Sequence, residues 1–111
     1  MNWSKYKQMR LIVMFDIPVE PSESQKAYTK FRSFLLKDGF IMMQYSIYIR
    51  FCHNEPDCEK HIMRIKNHCP EFGNIRLLKI TEKQYENMLL LYGKKQCNEE
   101  LDFDKNLIII E

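Results

Sequence analysis

Glycine and proline are scarce in this chain: three and four residues respectively among 111. That scarcity excludes collagen-like and low-complexity architectures and leaves most of the chain free to form regular elements. There is no Gly-rich phosphate loop, no Ser/His/Asp motif and no HExxH run, which removes the common nucleotide-cradle, triad and zincin readings. The four cysteines, Cys52, Cys58, Cys69 and Cys97, form no CxxC pair. The apolar run Met9–Phe15 is too short to span a bilayer or serve as an export segment. The expectation is a cytoplasmic protein with reduced thiols and no membrane contact.

What is present describes an ordinary folded domain. Hydrophobic residues make up 45% and charged residues 29% of the sequence, enough for one modest core. Seven Phe and six Tyr favour a sheet. The net charge of +2 hides an asymmetry. Residues 1–53 carry eight Lys/Arg against four Asp/Glu, residues 54–97 eight against six, and residues 98–111 one against five. The chain ahead of its last segment is therefore +6, a mild pointer to polyanion binding by part of the surface.

The organising stretch is Arg10-Leu-Ile-Val-Met-Phe-Asp-Ile-Pro18. Five apolar residues with a β-branched pair suit a strand buried on both faces. Pro18 cannot donate to a ladder, so the strand ends near Asp16, and an ionised carboxylate belongs at the rim of a core. Glu20–Gln25 reads as a helix start with Ser22 as cap and Gln25 reaching back. Ala27, Phe31, Phe34 and Leu35 then share one helical face, and Gly39 ends the helix. In Phe40–Phe51, Tyr45, Ile47, Ile49 and Phe51 alternate with Gln44, Ser46, Tyr48 and Arg50, the period of a strand. The run is either one bent strand or two turning near Met43–Ser46. The absence of Gly or Asn there points to a bulge or irregular turn rather than a tight two-residue hairpin.

Asn54 caps a second helix with Pro56 in its first turn, and Cys58, Ile62, Ile65 and Cys69 form its buried stripe. Pro70 closes it. Ile75–Ile80 is a strand, and Thr81–Tyr85 a capping box with an Ile80–Tyr85 staple, opening a short helix through about Leu91 that Gly93 terminates. Lys94–Asp104 reads as an exposed acidic loop and Leu107–Ile110 as a terminal strand. The division is residues 1–93 as the domain and 94–111 as a tail whose strand pairs with another subunit. The expected fold class is α+β: a ferredoxin-like βαββαβ sheet with two helices on one face, a short extra helix and a C-terminal strand. An apolar second sheet face favours a homodimer.

Asp16 has two readings. It is a turn residue before Ile17-Pro18, or it is an oxygen ligand for Mg²⁺ or Mn²⁺, shared with its copy across a twofold axis to act on a phosphodiester. Cys52-His53…Cys58-x-x-His61…His68-Cys69 invites zinc, but the spacing matches no standard finger and burial on one stripe accounts for the thiols. The three histidines read as satisfied surface residues. Lys26, Lys30, Arg32 and Lys37 form a basic helix surface suited to phosphate backbones.

Phe15-Asp16-Ile17-Pro18, Gln44-Tyr45-Ser46-Ile47-Tyr48 and Ile80-Thr81-Glu82-Lys83-Gln84-Tyr85, in that order, resemble the small CRISPR-associated adaptation endonuclease family. The Met14–Pro18 and Thr81–Tyr85 segments are most similar to the subtype that accompanies a single large effector nuclease (type II). The resemblance spans about Arg10 to Ile110. It implies a ferredoxin-like homodimer with Mg²⁺ between two copies of Asp16, cleaving RNA or double-stranded DNA. It also implies a partnership with the CRISPR integrase in spacer acquisition, bridging protospacer DNA. Ser46 and Tyr48 stand beside that motif as residues that shape the site. The chain departs from many relatives at Met42, where they carry Arg, and at Phe15, where they carry Tyr. The other readings are a non-catalytic DNA scaffold and a stand-alone toxin-like ribonuclease.

Overall fold

A computed structural model describes residues 8–18, 22–71 and 73–93. Four strands and three helices follow in the order β1 (Met9–Asp16), α1 (Ser22–Lys37), β2 (Ile41–Gln44), β3 (Ile47–Cys52), α2 (Glu55–His68), β4 (Asn74–Thr81) and α3 (Glu82–Glu86). The sheet is antiparallel throughout, in spatial order β2-β3-β1-β4. The expected α+β, ferredoxin-like βαββαβ order is the one observed. Residues 94–111, with the expected acidic loop and terminal strand, lie outside the described residues, as do Trp3 and Tyr6.

The first-made strand occupies the middle of the sheet, paired with β3 from Met9 opposite Cys52 to Met14 opposite Ile47, and with β4 from Met9 opposite Thr81 to Asp16 opposite Asn74. Alternation along β1 divides its side chains between two cores. Leu11, Val13 and Phe15 face α1 and α2, where they meet Phe31, Leu35, Tyr48, Cys58 and Ile65. On the opposite face, Ile12 meets Ile49 and Tyr85, with Met14, Ile41, Met43, Ile47 and Ile80 half-buried around them. α3 covers one end of that second face, so the sheet is not bare there as expected; Leu78 remains 49% exposed.

Local chemistry explains where the helices begin and end. Ser22, expected as the cap of α1, is instead its first helical residue. The helix ends in a Schellman turn: the Phe40 amide donates to Leu35 O at 2.9 Å and the Gly39 amide to Leu36 O at 3.1 Å. Gly39 has φ +93°, a left-handed conformation that favours glycine, and it lies against the Arg50 guanidinium. Asn54 caps α2 as expected, its Oδ1 accepting from the Asp57 amide at 2.9 Å. Thr81 and Gln84 form the expected reciprocal capping box.

Four expectations are corrected. The Tyr45-Ser46 connection is a two-residue turn after all, with a bulge where Met42 opposes Tyr48 and Gln44 opposes Ile47. Ser46 supplies the positive φ of 63° that sequence reasoning assigned to Gly or Asn alone. Cys69 is exposed: it caps α2 in extended conformation, as a residue before proline prefers, and so leaves the buried stripe. His61 is buried at 2% exposure, its Nδ1–H donating to Asp38 Oδ2 at 2.7 Å, while Arg64 Nη1 donates to Asp38 Oδ1 at 2.8 Å. Finally, α3 stops at Glu86 rather than Leu91. The Asn87 amide turns back to Lys83 O and the Met88 amide to Tyr85 O, and Leu89, Leu91 and Tyr92 beyond them are 79–96% exposed.

Candidate functional site at the end of the central strand

Asp16 is the last residue of β1. Strand alternation turns Phe15 into the helix-covered core and leaves Asp16 exposed at the sheet rim. Its carboxylate has no hydrogen bond or ion pair among the described residues. The backbone beneath it is held tightly. Gly73, at φ +75°, approaches so closely that a Cβ would lie 2.1 Å from Asp16 O and 2.8 Å from Ile17 Cα. Only glycine permits this crossing, which fixes where the strand ends and where the carboxylate emerges.

The turn between β2 and β3 buttresses the same end from the other side. The Phe15 amide donates to Ser46 O at 3.1 Å, one residue from Asp16. Ser46 Oγ lies 3.3 Å from the Tyr28 hydroxyl. Phe15 sits among Tyr28, Phe31 and Tyr48, with ring centroids 5.2–5.7 Å away. Tyr48 is 1% exposed and accepts from Arg32 Nε through its hydroxyl at 2.9 Å. Ser46 thus reaches the backbone beside Asp16, while Tyr48 stands on the helix side of the sheet and acts on Asp16 only through Phe15. Tyr28 and Gly73 were not singled out from sequence. Tyr28 lies on the same helical face as Phe31 and Leu35, but its meeting with Phe15 and Ser46, like the tight approach of Gly73, depends on strands away from it in the chain.

At the opposite end of β1, Arg10 is buried at 1% exposure. Its Nε and Nη2 donate to the two carboxylate oxygens of Glu82 at 2.7 and 2.9 Å, and its guanidinium carbon lies 4.2 Å from the Tyr85 ring centroid. The fork geometry and the stacking suit arginine specifically. The pair pins α3 to the central strand and is structural.

Lys26, Lys30, Arg32 and Lys37 are all exposed on α1. Spacing of four and seven places Lys26, Lys30 and Lys37 along one side of the helix, and Arg32 falls away from it towards Tyr48. Lys30 also borders a groove of about 320 Å³ between α1 and the end of α2, where His68 stacks on Phe34 at 4.0 Å.

The zinc pattern does not converge. Among the described residues no three His, Cys, Asp or Glu side chains gather as a metal site. Burial, reinforced by the neighbouring Cys58, pushes the Cys52 thiol far above the usual thiol range, and burial raises Cys58 too. Both are inert core thiols. For a hard divalent cation, the oxygen chemistry of Asp16 fits and its exposure leaves it open, but one protomer contributes that carboxylate alone among the described residues.

Residues 9–88 match the family model described as CRISPR associated protein Cas2. The chain is 49% identical over 87 residues to the CRISPR-associated endoribonuclease Cas2 of Ligilactobacillus salivarius, covering 78% of this chain and 86% of that one. It is 46% identical over 92 residues to the protein of the same name from Flavobacterium psychrophilum, covering 83% and 80%. The Streptococcus mutans counterpart is 47% identical over 90 residues, covering 81% and 83%. A solved structure described as a crystal structure of cas2 superposes with a TM-score of 0.57 at 19% identity, over 81% of this chain and 92% of that one, a likeness of fold.

Proposed function

The chain belongs to the Cas2 family of CRISPR-associated proteins, and from that premise we propose that it is a metal-dependent endonuclease of spacer acquisition, working as a homodimer. The observation that carries the reading is Asp16, an exposed carboxylate at the end of the central strand whose backbone is locked by Gly73. The relatives' printed name, endoribonuclease, supports RNA as a substrate; double-stranded DNA is the other.

Two copies of Asp16 would hold one Mg²⁺ or Mn²⁺ between them. Such an ion, when bound, supplies a Lewis acid for the phosphodiester and a more acidic water. The remaining roles fall to the chain itself. Gly73 and Ser46 hold the end of β1 from two sides, so Asp16 is presented without reorganisation. Lys26, Lys30 and Lys37 supply sequence-independent phosphate attraction, and Arg32 adds to it near Tyr48. The half-open apolar face around Met14, Ile47 and Leu78, with the exposed run Met88–Tyr92, supplies area for a second copy. The tail beyond residue 93 would pair with that copy. In the cytoplasm the dimer would bridge protospacer DNA alongside the CRISPR integrase, and the same basic α1 surface favours a second reading as a non-catalytic scaffold.

The test compares wild type with Asp16→Asn on single-stranded RNA and duplex DNA, in Mg²⁺ and in EDTA, alongside spacer acquisition in cells. Metal-dependent cleavage should fall at least 100-fold in the variant. Equal cleavage by both proteins sinks catalysis through Asp16. Lost cleavage with intact acquisition selects the scaffold.

A further inference from the structure

Tyr45 is the largest aromatic surface at the end of the sheet that carries Asp16, and neither the fold nor the proposed chemistry uses it. Its side chain is 73% exposed. An exposed aromatic is ordinary by itself. This one is immobilised. Its ring stacks on Tyr28 at a centroid distance of 6.2 Å and 25° between planes, and Tyr28 in turn packs against Phe15. The next residue, Ser46, holds a left-handed backbone that a non-glycine residue keeps only where its surroundings over-determine it. Those surroundings are the Phe15 amide and the Tyr28 hydroxyl, both bonded to Ser46. Tyr28 also raises the Tyr45 phenol above its usual range. The ring face away from Tyr28 is left open to solvent.

We propose that Tyr45 is a stacking shelf for one unpaired nucleobase of a nucleic-acid strand whose adjacent phosphate lies at Asp16. The proposal rests on the nuclease reading above and adds to that site a position for one unpaired base. Three features select that occupant. The turn that carries the shelf is bonded to the end of β1, the Phe15 amide donating to Ser46 O at 3.1 Å, so Tyr45 and Asp16 each lie one residue from that bond. Arg32, exposed and one helical turn after Tyr28 on α1, places positive charge on the side of the helix that carries the ring, for the phosphate chain. A paired base already has both faces stacked inside its duplex, so only a splayed base offers a free face to the ring.

The experiment uses the full chain and a 12-nucleotide single-stranded RNA carrying 2-aminopurine, with the matching duplex as control. Binding is read by anisotropy and stacking by quenching of 2-aminopurine fluorescence. Tyr45→Leu keeps apolar bulk but removes the stacking face; its single-strand Kd should rise about tenfold and the quench should vanish. Tyr45→Phe should keep both, and duplex binding should not change in either variant. Circular dichroism melts of both variants establish that they fold. Unchanged affinity and quench in Tyr45→Leu, equal losses on the duplex, or no binding of the single strand by wild type each overturn the shelf. Asp16→Asn is run in parallel. If it cleaves like wild type, the nuclease reading fails; the stacking result is read independently of cleavage.

Discussion

Two carboxylates stand at opposite ends of the central strand, Asp16 on the strand itself and Glu82 on α3, and their surroundings tell them apart. Glu82 is buried against a guanidinium that is itself buried, so removing Arg10 strands the carboxylate. Arg10→Met should cost about 3–5 kcal/mol in urea unfolding, and the Arg10→Met, Glu82→Leu double variant far less than the sum of its singles. Asp16, exposed and without such a partner, should tolerate Asn with a change in stability of about 0.5 kcal/mol or less. What fixes Asp16 is the backbone beneath it. Gly73→Ala adds a methyl where no space exists, at a positive φ, and should cost about 2–4 kcal/mol, well above the cost of Asp16→Asn. Thiol mapping offers a separate check at this scale. In the folded protein an alkylating reagent should modify Cys69 and spare Cys52 and Cys58, which should react only in denaturant.

Among the elements, α2 has a start that is sensitive to acid. Burial works to raise the Asp57 carboxyl, but the His53 amide, the Lys60 ammonium and His61 outweigh it and leave its pKa below the ordinary value of 3.8. A carboxyl depressed on folding adds stability that is complete above its unfolded pKa and is lost as pH falls through the folded one. Wild type should therefore lose stability below about pH 4 more steeply than Asp57→Asn, as read by thermal melts across pH 2–6. The caps of α2 and α3 were legible because capping chemistry is local: Asn54 with Asp57, and Thr81 with Gln84, are three residues apart. The central strand was legible from five consecutive apolar residues, and α1 from its stripe. His61 was not, because the carboxylate that lets it be buried is Asp38, 23 positions earlier and beyond the end of another helix. Nor was the Tyr45-Ser46 turn, whose positive φ depends on an amide in β1. At the site, Asp16 stood out through its place at a strand end, whereas Gly73, Tyr28 and the shelf became visible only when three distant segments met. The shortness of α3 has the same origin, since the pull of Leu89–Leu91 towards helix is weaker than the turn at Asn87.

For the whole molecule, charge and exposed apolar area make opposite demands on the surface. The lysines of α1 predict binding that weakens with salt: Lys26→Glu combined with Lys30→Glu should lower the slope of log affinity against log salt by about 1.8 on duplex DNA. The apolar area predicts association, and Leu78→Arg should shift the proposed dimer towards monomer in sedimentation at micromolar concentration. The central position of β1 has one more consequence, in the order of synthesis. The strand is made first, yet its nearest ladder partner, Ile47 opposite Met14, comes 33 residues later, and Thr81 opposite Met9 comes 72 later. On the ribosome, Leu-Ile-Val-Met-Phe must wait several seconds for β4 at ordinary elongation rates. A chain cut before Asn74 would leave that segment with one edge open, and an unpaired apolar strand is a template for aggregation. Soluble expression of this protein should thus depend on holdase chaperones until β4 emerges, and a circular permutant that begins at α2, so that β4 is made before β1, should reduce that dependence.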